Sequence, residues 1–454
     1  MNKKRLPKST YPNRYEIELD VDLDNFSYTG AQKVDLNVVE ATNNIVLNSV
    51  GIEVTKAKIQ TTKQDIPLEV NYIEEDEKIV FESQETLSEG VYELYLEFNS
   101  EITNDLKGFY KSSYMSEDGE KKWIATTQFE PTAARSAFPC WDEPEYKAIF
   151  SMTIITDEKY LRVSNEMVVE EEKVENNKLR TKFADSMKMS SYLVAFVIGD
   201  LEATVVGKSK TTDIRIIHRP GFSHQTSYAG TAAIKLLDFF EDYYKIPYPG
   251  TKLDLIAIPD FAMGAMENVG AVTFRENLLL FDKDKATRSE LDRSITVIAH
   301  ELAHMWFGDL VTMKWWDGIW LNEAFASLME VIASYNTYPE FKQWNAMNMS
   351  RTAGFSIDSL ENSRPVEFDV ETPDQAEEMF DVLTYEKGST VLRMFQMFIG
   401  EEAFQNGVEA YLNKFKFENT NSSDLWDALS EASNQPLNKI LPFWIREKGY
   451  PFLQ

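Results

Sequence analysis

The segment "VIAHELAHMWFGDLVTMKWWDGIWLNEAFASLMEVIAS" (Val297 to Ser334) holds two of the four histidines in the chain, His300 and His304, in otherwise apolar surroundings. Four residues apart on a helix, they share one face with Cβ atoms roughly 5–6 Å apart, so both imidazoles can reach one small cation. Glu301 flanks the same face, where its carboxylate can reach a water held on that cation without displacing it. The pattern is H-E-x-x-H. With so few histidines a chance match is on the order of one in a few hundred, and on these residues alone the pair also fits buried histidines satisfied by backbone carbonyls. Catalytic zinc takes three protein ligands and keeps one open position. Glu323, in the next helical segment, offers the third donor. Leu321, Ala324, Phe325 and Leu328 surround it, and an unpaired carboxylate there is costly; a metal would satisfy it. Gly308 and the stretch after it provide the break that turns the second helix back against the first.

These side chains need a scaffold, and the hydrophobic period supplies one in two parts. Up to about residue 200, segments such as "RYEIELDVDL", "QKVDLNVV", "YELYLEF" and "FSMTIIT" alternate apolar with polar residues, and "ENNK" reads as a hairpin tip. After Asp200, "TDIRIIHRP" and "KLDLIAIPD" read as short strands bracketing a helix, "SYAGTAAIKLLDFFEDYYKI". From Arg288 onward helical spacing dominates, with Ser422 or Ser423 the expected N-cap of "SSDLWDALSEAS". The expected class is α+β, an antiparallel β domain followed by a mostly helical one.

At 454 residues the chain is long enough for two or three domains of ~150 residues. Its net charge of −28 opposes phosphate backbones and anionic lipid, so neither nucleic acid nor a membrane is an expected partner; most of this acid reads as solvated surface. Cys140 is the single cysteine, which excludes an intrachain disulfide and fits a reducing compartment. The start, "MNKKRLPKSTYPNRYEIELDVDL", lacks the apolar core of a signal peptide, and "YLVAFVIG" is too short to span a bilayer. A cytoplasmic, unanchored protein is expected. Nothing in the sequence reports an oligomeric state.

Taken with three further segments, the chain resembles the zinc aminopeptidases of the gluzincin group, the M1 family, which includes alanyl and puromycin-sensitive aminopeptidases. The motifs are "GAMEN" (Gly264, Ala265, Met266, Glu267, Asn268), "HELAH" with Glu323 after it, and "YEKG" from Tyr385, together with "TQFEPTAARSAFPCWDEP", "MSSYLVAFVIGD" and "FWIREKGYP". The resemblance covers nearly the whole chain. It implies an N-terminal saddle-like β domain over 1–201, a thermolysin-like zinc catalytic domain over 202–446, and the start of a truncated β-sandwich at 447–454. It implies one Zn²⁺ per chain on His300, His304 and Glu323, with Glu301 as general base and Tyr385 donating to the oxyanion. The substrates would be short peptides with a free N-terminus. Glu267 and Glu130 would bind the α-ammonium, an anionic pair that an acetylated or internal peptide cannot neutralise. The backbone of Gly264 and Ala265 would lie along the substrate like an edge strand. Met263 and Gln128 would shape the pocket for the first side chain, where methionine's adaptability favours a broad preference for medium apolar or basic residues.

Some positions depart from the family pattern. Asp317-Gly318-Ile319 replaces a common Asn-Asp-Leu, Ala324 a glycine, and Phe274 a tyrosine; none removes a ligand or catalytic group. Family members usually continue past "GYP" into a β-sandwich and a helical domain, whereas this chain stops at Gln454. Two rival functions differ in what they require. A leukotriene-hydrolase-like epoxide hydrolase/aminopeptidase carries Gly where this chain has Ala265, and a non-catalytic interaction scaffold would be expected to lose the zinc ligands. A His₂Glu set also accepts divalent ions other than zinc.

Overall fold

The computed structural model describes residues 5–61 and 64–451. The basic residues 1–4, and residues 452–454 of the segment expected to begin a sandwich, lie outside the described residues; 447–451 follow the last helix as bends and coil. The chain divides into two compact units, one of Met1–Thr204, Arg215–Ser223 and Gly250–Glu276, the other of Val205–Ile214, His224–Pro249 and Asn277–Gln454. The class is α+β, with sheets first and helices after them. No helix among the described residues is long and apolar enough to cross a membrane.

In the first unit, strand Thr10–Asp22 buries Tyr15, Ile17, Leu19 and Val21 on one side, because successive residues of a strand face opposite ways. It pairs antiparallel with Ser27–Val38 and parallel with Ile149–Asp157, inside a ten-stranded sheet whose other ladders are antiparallel. The parallel pair needs a long connection, and residues 23–148 supply it. The hairpin tip read from "ENNK" is present: Asn176 and Asn177 have φ of 61° and 57°, the left-handed pair that a tight hairpin requires. The aromatic core runs from Tyr15 stacked on Phe150 at 4.8 Å, through Phe138 and Phe129, to Phe196 and Phe109.

Two sheet elements carry candidate residues. Strand Lys121–Gln128 belongs to a four-stranded sheet and ends on Gln128, two residues before Glu130. A third sheet ends in the order Lys252–Ile258, Ala271–Arg275, Ala265–Met266, so the first two residues after Gly264 form its terminal strand.

The second unit contains nine α-helices among the described residues: α1 (Ser227–Tyr244), α2 (Arg288–His304), α3 (Trp320–Thr337), α4 (Gln343–Asp358), α5 (Pro373–Glu378), α6 (Gly388–Ile399), α7 (Glu401–Phe415), α8 (Ser422–Ser433) and α9 (Leu437–Arg446). The helical segments read from period are all present. The N-cap of α8 is Asn421 instead of Ser422 or Ser423: the Asp424 carboxylate accepts from the Asn421 N–H at 2.8 Å, so the acid three residues on decides the start. Phe307 stacks on Phe325 at 3.7 Å, tying the turn after α2 to α3.

Candidate metal centre and active site

A capping box launches α2. The Thr287 hydroxyl accepts from the Glu290 N–H at 3.2 Å, and the Glu290 carboxylate accepts from the Thr287 N–H at 2.8 Å, satisfying two N–H groups that a helix start leaves open. From that fixed start His300 and His304 arrive on the last turns, ring centroids 4.7 Å apart. The helix ends at His304, and in the turn that follows Gly308 takes a φ of +135°; a Cβ there would come within 3.2 Å of His304 Nδ1. Glu323 enters on the first turn of α3, buried at 3% side-chain exposure.

One carboxylate oxygen meets both histidines. Glu323 Oε2 lies 3.2 Å from His300 Nε2 and 3.4 Å from His304 Nε2, and a donor atom from each of the three residues falls within 4.8 Å of the others. Bonds of about 2.0–2.1 Å to a tetrahedral ion place its ligand atoms roughly 3.3–3.4 Å apart. Two imidazoles and a carboxylate at these separations therefore fit zinc in chemistry and in spacing.

The outer nitrogens are fixed as well. His300 Nδ1 donates to Glu330 Oε2 at 2.9 Å, and His304 Nδ1 donates to the Phe307 carbonyl at 2.9 Å, which leaves each Nε2 as the inward-facing atom. Burial disfavours the His300 imidazolium, yet its hydrogen bonds to Glu323 and Glu330 outweigh burial and hold its pKa well above the ordinary value. Burial likewise pushes Glu323 up, but the charge of His304 and the hydrogen bonds from both histidines hold its carboxyl well below the usual range. Without a metal the cluster is thus a proton-sharing site. Glu330→Gln is expected to weaken Zn²⁺ binding about 10–100-fold, read by chelator competition at fixed pH; an unchanged affinity would remove Glu330 from the metal's surroundings.

Glu301 is buried on α2 between the two histidines. Tyr385 sits in a π-helical turn, Leu383–Lys387, that leads into α6, and its ring lies 6.0 Å from the His300 ring at 26°. Such turns recur at functional sites. Asp381 starts this one, its Oδ1 accepting from the N–H groups of Leu383 and Thr384. Lys387 anchors the far side through a buried pair with Asp358 at 2.9 Å and a bond to the Gly449 carbonyl. Gly388 lets α6 approach α3: a Cβ there would lie 2.5 Å from that of Ala324.

In the first unit the structure gathers the other set. Carboxylate oxygens of the buried Glu130 and Glu267 lie within 4.8 Å of each other. Gln128 Nε2 donates to Met266 Sδ at 3.3 Å. Gly264 and Ala265 are half-buried and Met263 is exposed. Asn268 is buried and turned inward, donating to Thr273 Oγ1 and to the Ala271 carbonyl; it braces the turn.

A family model described as "Peptidase M1 N-terminal domain" matches residues 11–193, and one described as "Peptidase family M1 domain" matches residues 228–444. The chain belongs to peptidase family M1. It is 42% identical over 452 residues to "Aminopeptidase M1" of Arabidopsis thaliana, covering 98% of this chain and 51% of that protein. It is 38% identical over 454 residues to "Puromycin-sensitive aminopeptidase" of Caenorhabditis elegans (99% and 48%) and 38% over 433 residues to "Endoplasmic reticulum aminopeptidase 1" of Rattus norvegicus (94% and 47%). The chain spans about half the length of the curated relatives it matches.

The residues missed by sequence reasoning are those that brace others. Glu330 lies seven positions after Glu323, two turns along the same face of α3, a spacing that could have found it. The Thr287-x-x-Glu290 capping box is also legible. The clamp of Lys387 on Asp358 and Gly449 joins positions far apart in sequence, and no local signal marks it.

Proposed function

We propose that this member of family M1 is a zinc-dependent aminopeptidase that removes the N-terminal residue from short peptides in the cytoplasm, with 1–201 as its β domain and 202–446 as its catalytic domain. The observation that carries the reading is the shared position of Glu323 Oε2 against both Nε2 atoms, at tetrahedral spacing. His300, His304 and Glu323 would hold one ion, which supplies Lewis-acid polarisation of the scissile carbonyl and of the attacking water. Glu301 takes the proton of that water and delivers it to the leaving amine. Tyr385 donates a hydrogen bond to the developing oxyanion. Glu267 and Glu130 bind the substrate's α-ammonium, the charge-assisted contact that selects a free N-terminus. The terminal strand at Ala265–Met266, entered from Gly264 and followed by Asn268, gives extended substrate backbone a free edge, and Met263 and Gln128 shape the pocket for the first side chain.

Steady-state hydrolysis of an alanyl- or leucyl-fluorophore beside its N-acetylated twin, with and without a chelator, tests this. Chelator-sensitive cleavage of the free amine alone is the expected result; equal cleavage of the twin would replace the aminopeptidase reading by an endopeptidase or esterase. Tyr385→Phe is expected to lower kcat by about 10²–10³-fold with little change in KM. A wild-type kcat in that variant would make Tyr385 a packing residue.

A further inference from the structure

The backbone that follows Glu267 is fastened by a network that the chemistry above does not use. Asn268 to Ala271 form a turn closed by the Ala271 N–H on the Asn268 carbonyl at 2.9 Å. Gly270 takes the third place at φ +72°, the left-handed conformation such a turn requires. A Cβ on Gly270 would lie 2.0 Å from the Asn165 carbonyl oxygen, so the loop around Asn165 presses directly on the turn.

Two buried side chains lock that contact. Asn165, 3% exposed, donates from Nδ2 to the carbonyls of Val269 at 2.9 Å and Leu193 at 2.8 Å, while its Oδ1 accepts from the Ala195 N–H at 2.9 Å. Lys252, also 3% exposed, donates to the carbonyls of Ser164 and Gly270 and pairs with Asp254 at 2.9 Å. On the other side of the motif, Arg275 holds the carbonyls of Phe261, Ala262 and Gly264. The segment from 261 to 270 is thus tied at both ends, with Glu267 between the ties.

A buried ammonium is an expensive way to hold a turn, because its desolvation is offset only while every partner stays in place. The turn has something to resist. Glu267 and Glu130 lie close enough to repel when both are ionised, and the backbone ties oppose that repulsion. Glu130 follows the strand that ends at Gln128, and Glu267 lies between the ties.

We propose that Asn165 and Lys252 are positioning residues that hold Glu267 against Glu130, so that the anionic pair is preformed for a substrate ammonium. This rests on the aminopeptidase reading above. Neither residue touches substrate; each acts through the Val269–Gly270 backbone.

The test compares wild type with Asn165→Ala, using the leucyl-fluorophore and its N-acetylated twin and recording metal content and Tm in parallel. The expected result is a rise in KM of about 10–10²-fold for the free amine, kcat within a few-fold of wild type, one metal ion retained, and a smaller preference over the twin. Lys252→Met should show the same split, and decides the matter if Asn165→Ala does not fold. A folded, metal-loaded variant with wild-type KM and preference overturns the proposal. So does a uniform loss of activity with lowered Tm, which marks a structural role only. If wild type itself shows no preference for the free amine, the aminopeptidase reading fails first.

Discussion

Glu301→Gln is expected to lower kcat by about 10²–10⁴-fold while leaving one zinc per chain. The amide matches the carboxylate in shape, so it preserves the packing of a side chain that is buried on α2, but it cannot take a proton from water. Glu301 is not among the three residues whose ligand atoms cluster and could hold an ion, which are His300, His304 and Glu323. The variant should therefore separate chemistry from metal binding. Because the proton moves only in the transition state, kcat and kcat/KM should fall together, with KM nearly constant. Metal analysis and steady-state kinetics on one preparation check this. Loss of zinc along with activity would make Glu301 a structural support, and a fall of less than about tenfold would assign the base to another group.

Much of this centre was legible because its residues are close in sequence. His300, Glu301 and His304 occupy five consecutive positions, and helical geometry alone puts both imidazoles on one face. Glu323 was legible from its apolar neighbours, since a carboxylate among Leu321, Ala324, Phe325 and Leu328 needs a partner; the structure buries it and supplies two imidazoles. Period-two alternation located strands such as Thr10–Asp22 for the same reason, each residue's face being set by the strand itself.

What was not legible depends on long-range return of the chain. The parallel pairing of Thr10–Asp22 with Ile149–Asp157 joins segments more than a hundred residues apart, and no local pattern chooses a strand's neighbour. Asn165 reads as one more polar residue in "VSNEM", yet it reaches Leu193, Ala195 and Val269. Tyr385 was placed by resemblance, because a lone tyrosine in a helical segment is ordinarily core packing; its π-turn arises from Asp381 and Lys387 acting from either side. Helix α4 has mostly exposed residues and a weak apolar stripe, so its period gave little signal.

Removing the third donor should have the largest effect on metal and fold together. In Glu323→Ala the imidazoles lose the anion they share, and breaking a buried pair in this way costs about 3–5 kcal/mol of stability. The metal-free protein shows where in pH that contribution lies. His300 has a raised pKa in the fold, so its contribution is fully present below the unfolded value of 6.5 and is lost as pH rises through the folded value. Glu323 has a depressed pKa, so its contribution is present above the unfolded value of 4.5 and is lost as pH falls through the folded value. Zinc reverses the first dependence. To bind, it must displace the His300 proton, so apparent affinity should rise up to about tenfold per pH unit until the raised pKa is passed. In wild type the gap in Tm between zinc-loaded and chelator-treated protein should therefore widen from about pH 6 to about pH 8. Glu323→Ala should show no zinc-dependent gap at any pH, and near pH 6 its metal-free form should melt below metal-free wild type, since the ion pair is lost there too. Full zinc occupancy in that variant would exclude Glu323 from the ligand set, and a Tm gap in wild type that is flat with pH would mean that His300 carries no proton for the metal to displace.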